Sequence, residues 1–140
     1  MNACVVDASV AVKWFLPEIH SEAAGKILEA RQKLLAPDLI WAEVGNTLWK
    51  KILRKEITTE ESSGILKDFL RFPLQIYRTK GLLDAAWSLA IEYKVSVYDS
   101  LYLALAIGHG CSLVTADRKF YESMRKEAIG KKLIWVEDAK

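Results

Sequence analysis

Cys4-Val5-Val6-Asp7-Ala8-Ser9 is the stretch that decides the fold. Three apolar residues in succession, with no polar alternation, read as a strand covered on both faces. The acid ends that strand, and the small hydroxyl residue after it opens a helical pattern. A strand buried on both sides belongs to a sheet held between two helix layers, and the rest of the chain alternates accordingly. Ser9 to Leu16 has helical spacing until Pro17, because the residue before proline resists the helical region. His20 to Lys33 predicts an amphipathic helix, Leu34 to Ala36 a brief second strand, and Asp38 to Lys55 a third helix with Leu39, Ile40, Val44, Leu48 and Ile52 as its apolar stripe, Pro37 serving its first turn. Thr58-Thr59-Glu60-Glu61 has the spacing of a capping box and starts a fourth helix that Pro73 ends. Leu74 to Tyr77 predicts a third strand, Leu82 to Tyr93 and Ser96 to Gly108 two more helices, and Cys111 to Thr115 another buried strand. A last helix over Arg118 to Ala128, broken by Gly130, and a strand over Leu133 to Val136 complete the series.

Strands that alternate with helices and lack hairpin turns between them pair in parallel through right-handed crossovers. The expected fold is therefore α/β: a three-layer α/β/α sandwich on a mainly parallel sheet of about five strands. No linker, repeat or charge run divides the 140 residues, so residues 1–140 read as one domain, long enough to bury roughly 70% of the surface that its unfolded chain exposes.

Composition narrows the class. Apolar residues at 51% and charged ones at 27% exclude a disordered chain. A formal net charge of only +2 argues against binding polyanions by bulk charge, so any contact with nucleic acid must come from local patches. No apolar run approaches the roughly 20 residues of a membrane span, and Asp7 interrupts the only stretch resembling a signal peptide. The expectation is a cytoplasmic protein with no membrane contact. Cys4 and Cys111 lack the paired spacing of a zinc site and read as reduced core thiols, with a disulfide as the lesser reading should their strands be neighbours.

In an open parallel sheet, ligands bind beyond the carboxyl ends of the strands, where the strand order reverses. Topology can bring four acids to that rim: Asp7 after the first strand, Glu43 on the third helix, Asp99 in the first turn of the sixth, and Asp117 two residues past Thr115. Several carboxylates in one place suit Mg²⁺ or Mn²⁺, which take hard oxygen ligands. A metal held by acids lowers the pKa of water and steadies a phosphate during in-line displacement. Taken one by one, the same acids have plain readings. Asp7 and Asp117 are natural helix caps, Ser96 and Asp99 have capping-box spacing, and Glu43 suits a solvated helix face. Ser9, Asn46 and Thr115 stand beside the acids as candidate supporting groups or as ordinary helix-start hydroxyls and polar positions.

Val5-Val6-Asp7-Ala8-Ser9, Ala42-Glu43-Val44-Gly45-Asn46-Thr47-Leu48, Tyr98-Asp99-Ser100-Leu101-Tyr102-Leu103-Ala104-Leu105-Ala106 and Leu113-Val114-Thr115-Ala116-Asp117-Arg118-Lys119-Phe120 resemble, in order and spacing, the motifs of PIN-domain nucleases, and in particular the VapC-type toxins of toxin-antitoxin pairs. The likeness spans essentially the whole chain. It implies that Asp7, Glu43, Asp99 and Asp117 are the catalytic, metal-binding acids, holding one or two Mg²⁺ or Mn²⁺ ions, with Ser9, Asn46 and Thr115 as the polar positions beside them. It also implies an endoribonuclease acting on RNA, a homodimer or higher homo-oligomer, and inhibition by a small antitoxin protein.

Cations near these motifs are candidate RNA contacts: Lys50 at the end of the third helix, and Arg118 and Lys119, which start a helix where the dipole disfavours positive charge. Cations also simply suit a helix C-terminus, which accounts equally for Lys50. Trp41 and Trp49 flank the stripe of the third helix, which suits either a partner-facing surface or a second packed face. Two rival functions remain open. One is a catalytically silent module of the same fold that docks RNA or protein. The other is a phosphatase with Asp7 as nucleophile, weakened because such enzymes usually carry a second Asp two residues on, where this chain has Ser9.

Overall fold

The computed structural model describes residues 2–139. Its strands are β1 (Ala3–Val6), β2 (Lys33–Pro37), β3 (Gln75–Tyr77), β4 (Ser112–Thr115) and β5 (Leu133–Trp135), and its helices are α1 (Ala8–Ala11), α2 (Ser21–Glu29), α3 (Leu39–Leu53), α4 (Thr59–Leu70), α5 (Thr79–Tyr93), α6 (Val97–Gly108) and α7 (Arg118–Met124). All described pairings are parallel, in the order β3-β2-β1-β4-β5. The chain builds outward from β1 to β3, then returns to the other side of β1 to lay down β4. The strand order therefore reverses between β1 and β4, and the crevice for a ligand opens at their carboxyl ends.

Strand pleating explains why β1 had to be apolar throughout. Val5, Leu35 and Leu113 project into a cluster with α3 and α6, whereas Cys4, Val6, Leu34 and Val114 project to the opposite face, against Ala24 and Ile27 of α2. Each fully buried Val, Leu or Ile contributes about 1.5–3 kcal/mol, so both layers are held to the sheet. A third, smaller cluster of Ala86, Leu101 and Ala104 joins α5 to α6. Although β1 and β4 are neighbours, Cys4 packs with the α2-side cluster and Cys111 against the other one, and both thiols are free. Burial and then the nearby Cys111 push the Cys4 thiol up to about 12, so it is an inert core residue.

Several boundaries differ from the sequence expectation for local reasons. The first helix keeps α-geometry only over Ala8–Ala11 and tightens into a 3₁₀ turn over Val12–Trp14. The second stops at Glu29, Arg31 takes a left-handed φ of 52°, and Lys33, expected to end that helix, starts β2. Pro37 closes β2 instead of serving the first turn of α3. Thr79 starts α5 three residues early, because Asp38 Oδ1 accepts hydrogen bonds from both its backbone N–H (3.0 Å) and its hydroxyl. The last helix ends at Met124, four residues short of Ala128. Gly130 then lies so close that a Cβ there would stand 2.2 Å from the Met124 carbonyl oxygen. The capping box of α4 forms as read, between Thr58 and Glu61. Among the described residues no helix is long and apolar enough to cross a membrane.

Candidate active site

Asp7 leaves β1 and caps α1. Its Oδ1 accepts from the Val10 N–H (3.2 Å) and the Ser9 hydroxyl (2.5 Å), and its Oδ2 accepts from the Thr115 hydroxyl (2.5 Å). Thr115 in turn accepts from the Asp117 N–H at 3.1 Å, and Ser9 Oγ accepts from the Ala116 N–H at 2.9 Å. Two small hydroxyls thus stitch the end of β1 to the end of β4, at the point where the strand order reverses. Asp117, exposed, caps α7 through the Phe120 N–H at 3.1 Å.

α6 supplies the third acid. Ser96 Oγ accepts from the Asp99 N–H (3.0 Å), which satisfies the helix start and puts the Asp99 carboxylate in the first turn, facing Asp7, Glu43 and Asp117 electrostatically. One turn further on, the buried Tyr102 donates its phenolic hydrogen to Glu43 Oε1 at 2.5 Å. That bond ties α6 to α3 and fixes the fourth carboxylate. The sequence reading passed over Tyr102; its signal was a hydroxyl three residues after Asp99, on the same helical face.

Mutual repulsion and burial show in the protonation of these groups. Burial is the largest influence on Asp7 and lifts it to about 7, against the opposing hydrogen bonds from Ser9, Thr115 and Val10, with a further upward push from Asp99. Asp99 is raised to about 6 by burial and then by the charge of Asp117, with Glu43 adding to it. Glu43 is raised by burial, with Tyr102 opposing and Asp117 reinforcing the shift. Burial, with Glu43 next, pushes the Tyr102 phenol far above its ordinary range, so it stays a donor. Three neighbouring carboxyls are thus displaced in the same direction, by burial first and by one another's charge second.

Ser9, Glu43, Asn46, Lys50 and Asp117 line a cleft of about 740 Å³. Asp7 and Asp99 are not part of this lining; the buried Asp7 lies behind it, hydrogen-bonded to Ser9, and Asp99 follows the lining residue Tyr98. Lys50 stands inside the cleft, whereas Arg118 and Lys119 are exposed outside its lining. Arg118 has a local partner: its guanidinium lies 3.9 Å from the centroid of the Trp135 ring and 3.5 Å from Glu122, which accounts for a cation at the start of α7. Trp14 stacks on Phe72 at 4.7 Å and Trp41 packs edge-on to Phe69, so these two belong to the packed interior, whereas Trp49 and Trp87 are 54% and 59% exposed.

The chemistry of the four acids is that of hard oxygen donors, which a divalent cation such as Mg²⁺ takes, and lacks the nitrogen or sulfur of a zinc site. His20 packs edge-on against Trp135 and His109 against Tyr77. Among the described residues no group of three or more His, Cys, Asp or Glu side chains is gathered closely enough to hold a metal ion. Mg²⁺ does not need one: it retains several waters and binds through one or two carboxylates.

A family model, the PIN domain, matches residues 4–125. The chain belongs to the PIN-domain family. Ribonuclease VapC3 of Pyrobaculum aerophilum is 37% identical to it over 120 residues, covering 84% of this chain and 92% of that protein. A crystal structure of a Pyrobaculum aerophilum protein superposes on this PIN domain with a TM-score of 0.73 at 27% identity, covering 96% of this chain and 84% of the other. A Klebsiella pneumoniae toxin-antitoxin complex contains a chain of the same fold, with a TM-score of 0.64, 18% identity and 97% and 99% coverage.

Proposed function

We propose that the chain is a metal-dependent endoribonuclease, the toxin of a toxin-antitoxin pair, acting through Asp7, Glu43, Asp99 and Asp117. The observation that carries the reading is the convergence of acids from four segments at the rim where the strand order reverses, with Asp7 tied to Thr115 across β1 and β4 and Glu43 tied to Tyr102 one turn beyond Asp99. The ribonuclease relative at 37% identity supports the substrate class.

A bound Mg²⁺ or Mn²⁺, one ion or two, supplies Lewis acidity, lowering the pKa of water and offsetting the charge that builds on the phosphate. The chain supplies position. Ser9, Thr115 and the Val10 N–H hold Asp7 in place and leave one lone-pair site, on Oδ2, without a donor. Asp99 and Asp117 complete the oxygen donors. Tyr102 fixes one oxygen of Glu43 and leaves the other free to orient the attacking water and take its proton, a task suited to a carboxyl raised by burial. Water oxygen bonds to phosphorus, the bond to the leaving nucleotide oxygen breaks, and that oxygen takes up a proton from solvent. Asn46, one turn beyond Glu43 on the cleft wall, is placed to donate to a phosphate oxygen. Incubating purified protein with labelled RNA tests the reading: cleavage in Mg²⁺, none in EDTA and recovery in Mn²⁺ is expected, and metal-independent cleavage or intact RNA contradicts it.

The partners are part of the same proposal. α5 exposes Leu83, Trp87 and Ile91 at intervals of four residues, an apolar stripe suited to a second copy of the chain. Sedimentation of the chain without other proteins at micromolar concentration is expected to show a dimer; a monomer sinks that part. A small antitoxin would then cover the cleft, consistent with the likeness to a chain of a toxin-antitoxin complex.

A further inference from the structure

The cleft is acidic at one end only. Lys13 lies in the Val12–Trp14 turn, a cation set in an otherwise apolar segment and only 9% exposed. Its ammonium is 2.9 Å from Glu18 Oε1, and the ammonium of Lys51, from the last turn of α3, is 3.0 Å from Glu18 Oε2. Lys13, Glu18 and Lys50 line the same cleft as Glu43 and Asp117. Burial raises Glu18, yet the hydrogen bonds from Lys13 and Lys51 outweigh it and hold the carboxyl below its usual range. Three lysines against one carboxylate leave a local surplus of positive charge.

A purely structural ion pair explains this arrangement poorly. Burying a lysine costs several kcal/mol, and a pair of charges often does no better than apolar side chains of the same size. The geometry instead resembles a held donor. An ammonium carries three N–H groups, and Glu18 occupies one on Lys13 and one on Lys51. Holding Lys13 by Glu18 also removes much of the side-chain entropy that a flexible lysine would lose on gripping a ligand. Along α3, Glu43, Asn46 and Lys50 form one stripe, and the seven residue steps from Glu43 to Lys50 span about 10 Å of helix axis. At about 3.4 Å per stacked nucleotide, that is roughly three steps of a strand.

We propose that Lys13 and Lys50, with Lys13 fixed by Glu18 and Lys51, form a phosphate subsite that grips the RNA backbone within about three nucleotides of the bond being cut. The subsite rests on the ribonuclease reading for its ligand and adds a contact at a distance from the reacting atoms. Lys13 and Lys50 are binding residues; Glu18 and Lys51 are positioning residues. Substrate enters with its scissile phosphate at the acids and a neighbouring phosphate at the lysines, which sets the register of the strand in the cleft.

Lys13→Met, Lys51→Met and, as a control for overall charge, Lys67→Met on the exposed face of α4 are compared with wild type after thermal melts. Cleavage of a fluorescein-labelled single-stranded RNA in Mg²⁺ gives KM and kcat, and anisotropy of the same RNA in Ca²⁺ gives Kd across a salt series. Lys13→Met is expected to raise KM and Kd about tenfold and to reduce the slope of log Kd against log salt by about one, with kcat within about twofold of wild type. Lys51→Met should move the same quantities in the same direction, and it decides the question should Lys13→Met fail to fold. Folded variants with lowered melting temperatures but wild-type KM, Kd and salt slope would show the ion pairs to be structural and overturn the subsite. Wild type that binds RNA without cutting it would defeat the ribonuclease reading, while the anisotropy arm still decides the subsite.

Discussion

Asp99→Asn is expected to lower RNA cleavage by about three orders of magnitude and, at the same time, to raise the melting temperature of the metal-free protein. The two effects have one cause. Asp99 is lifted to about 6 by burial and then by Asp117 and Glu43, so its negative charge is held in place against its neighbours. The amide relieves that repulsion and keeps the N-cap bond, in which the Asp99 backbone N–H donates to Ser96 Oγ and the Asp99 side chain takes no part. The same change removes a hard anionic ligand. Lewis-acid stabilisation is worth several kcal/mol, and each 1.36 kcal/mol is tenfold in rate. Initial rates on labelled RNA beside melting scans in EDTA read both halves. A clean variant that cuts RNA at the wild-type rate would remove Asp99 from the chemistry.

Stability of the metal-free protein should fall as pH rises from about 4 to about 7. Asp7 and Asp99, at about 7 and about 6, and Glu43, also raised, keep protons in the folded state that the unfolded chain has already released. For carboxyls raised in this way, the folded state binds more protons throughout the window, so stability is greatest below the unfolded values and is lost up to the folded ones. Asp7 alone, buried and displaced by about three units at 1.36 kcal/mol each, corresponds to a few kcal/mol, on the order of 10 °C in melting temperature for a domain of this length. Mg²⁺ binds the ionised carboxyls and should restore stability mainly above about pH 6. Melting scans in EDTA across this range should therefore slope downward, Asp7→Asn should make the slope shallower while Asp99 and Glu43 keep part of it, and added Mg²⁺ should act at the alkaline end. A flat EDTA profile in wild type, or a slope that Asp7→Asn leaves unchanged, would contradict the burial of these ionisable carboxyls.

The fold was legible because β1, β2 and β4 carry unbroken apolar runs and Asp7, Thr58 and Ser96 mark helix starts with short polar side chains. Boundaries were less so where tertiary contacts override local spacing. Asp38 bonding Thr79 lengthens α5, and a chain turn at Arg31 shortens α2. At the site, the sequence left a choice between helix caps and a shared rim. Asp7 and Asp117 do cap α1 and α7, and they also stand at the ends of the adjacent strands β1 and β4; capping uses one oxygen of each carboxylate. What local spacing could not reveal is the contact between distant segments: Tyr102 on Glu43, Thr115 on Asp7, and Lys13 beside Lys51 through Glu18. Nor could local spacing reveal that the Arg118 guanidinium lies over the Trp135 ring.

Locating Mn²⁺ by anomalous diffraction in crystals of the wild-type protein tests the central claim most directly. The account predicts one or two ions with oxygens of Asp99 and of at least one of Asp7, Glu43 and Asp117 at about 2.1 Å. Mn²⁺ bound elsewhere, or no ion at this rim under conditions in which the protein cuts RNA, would contradict it.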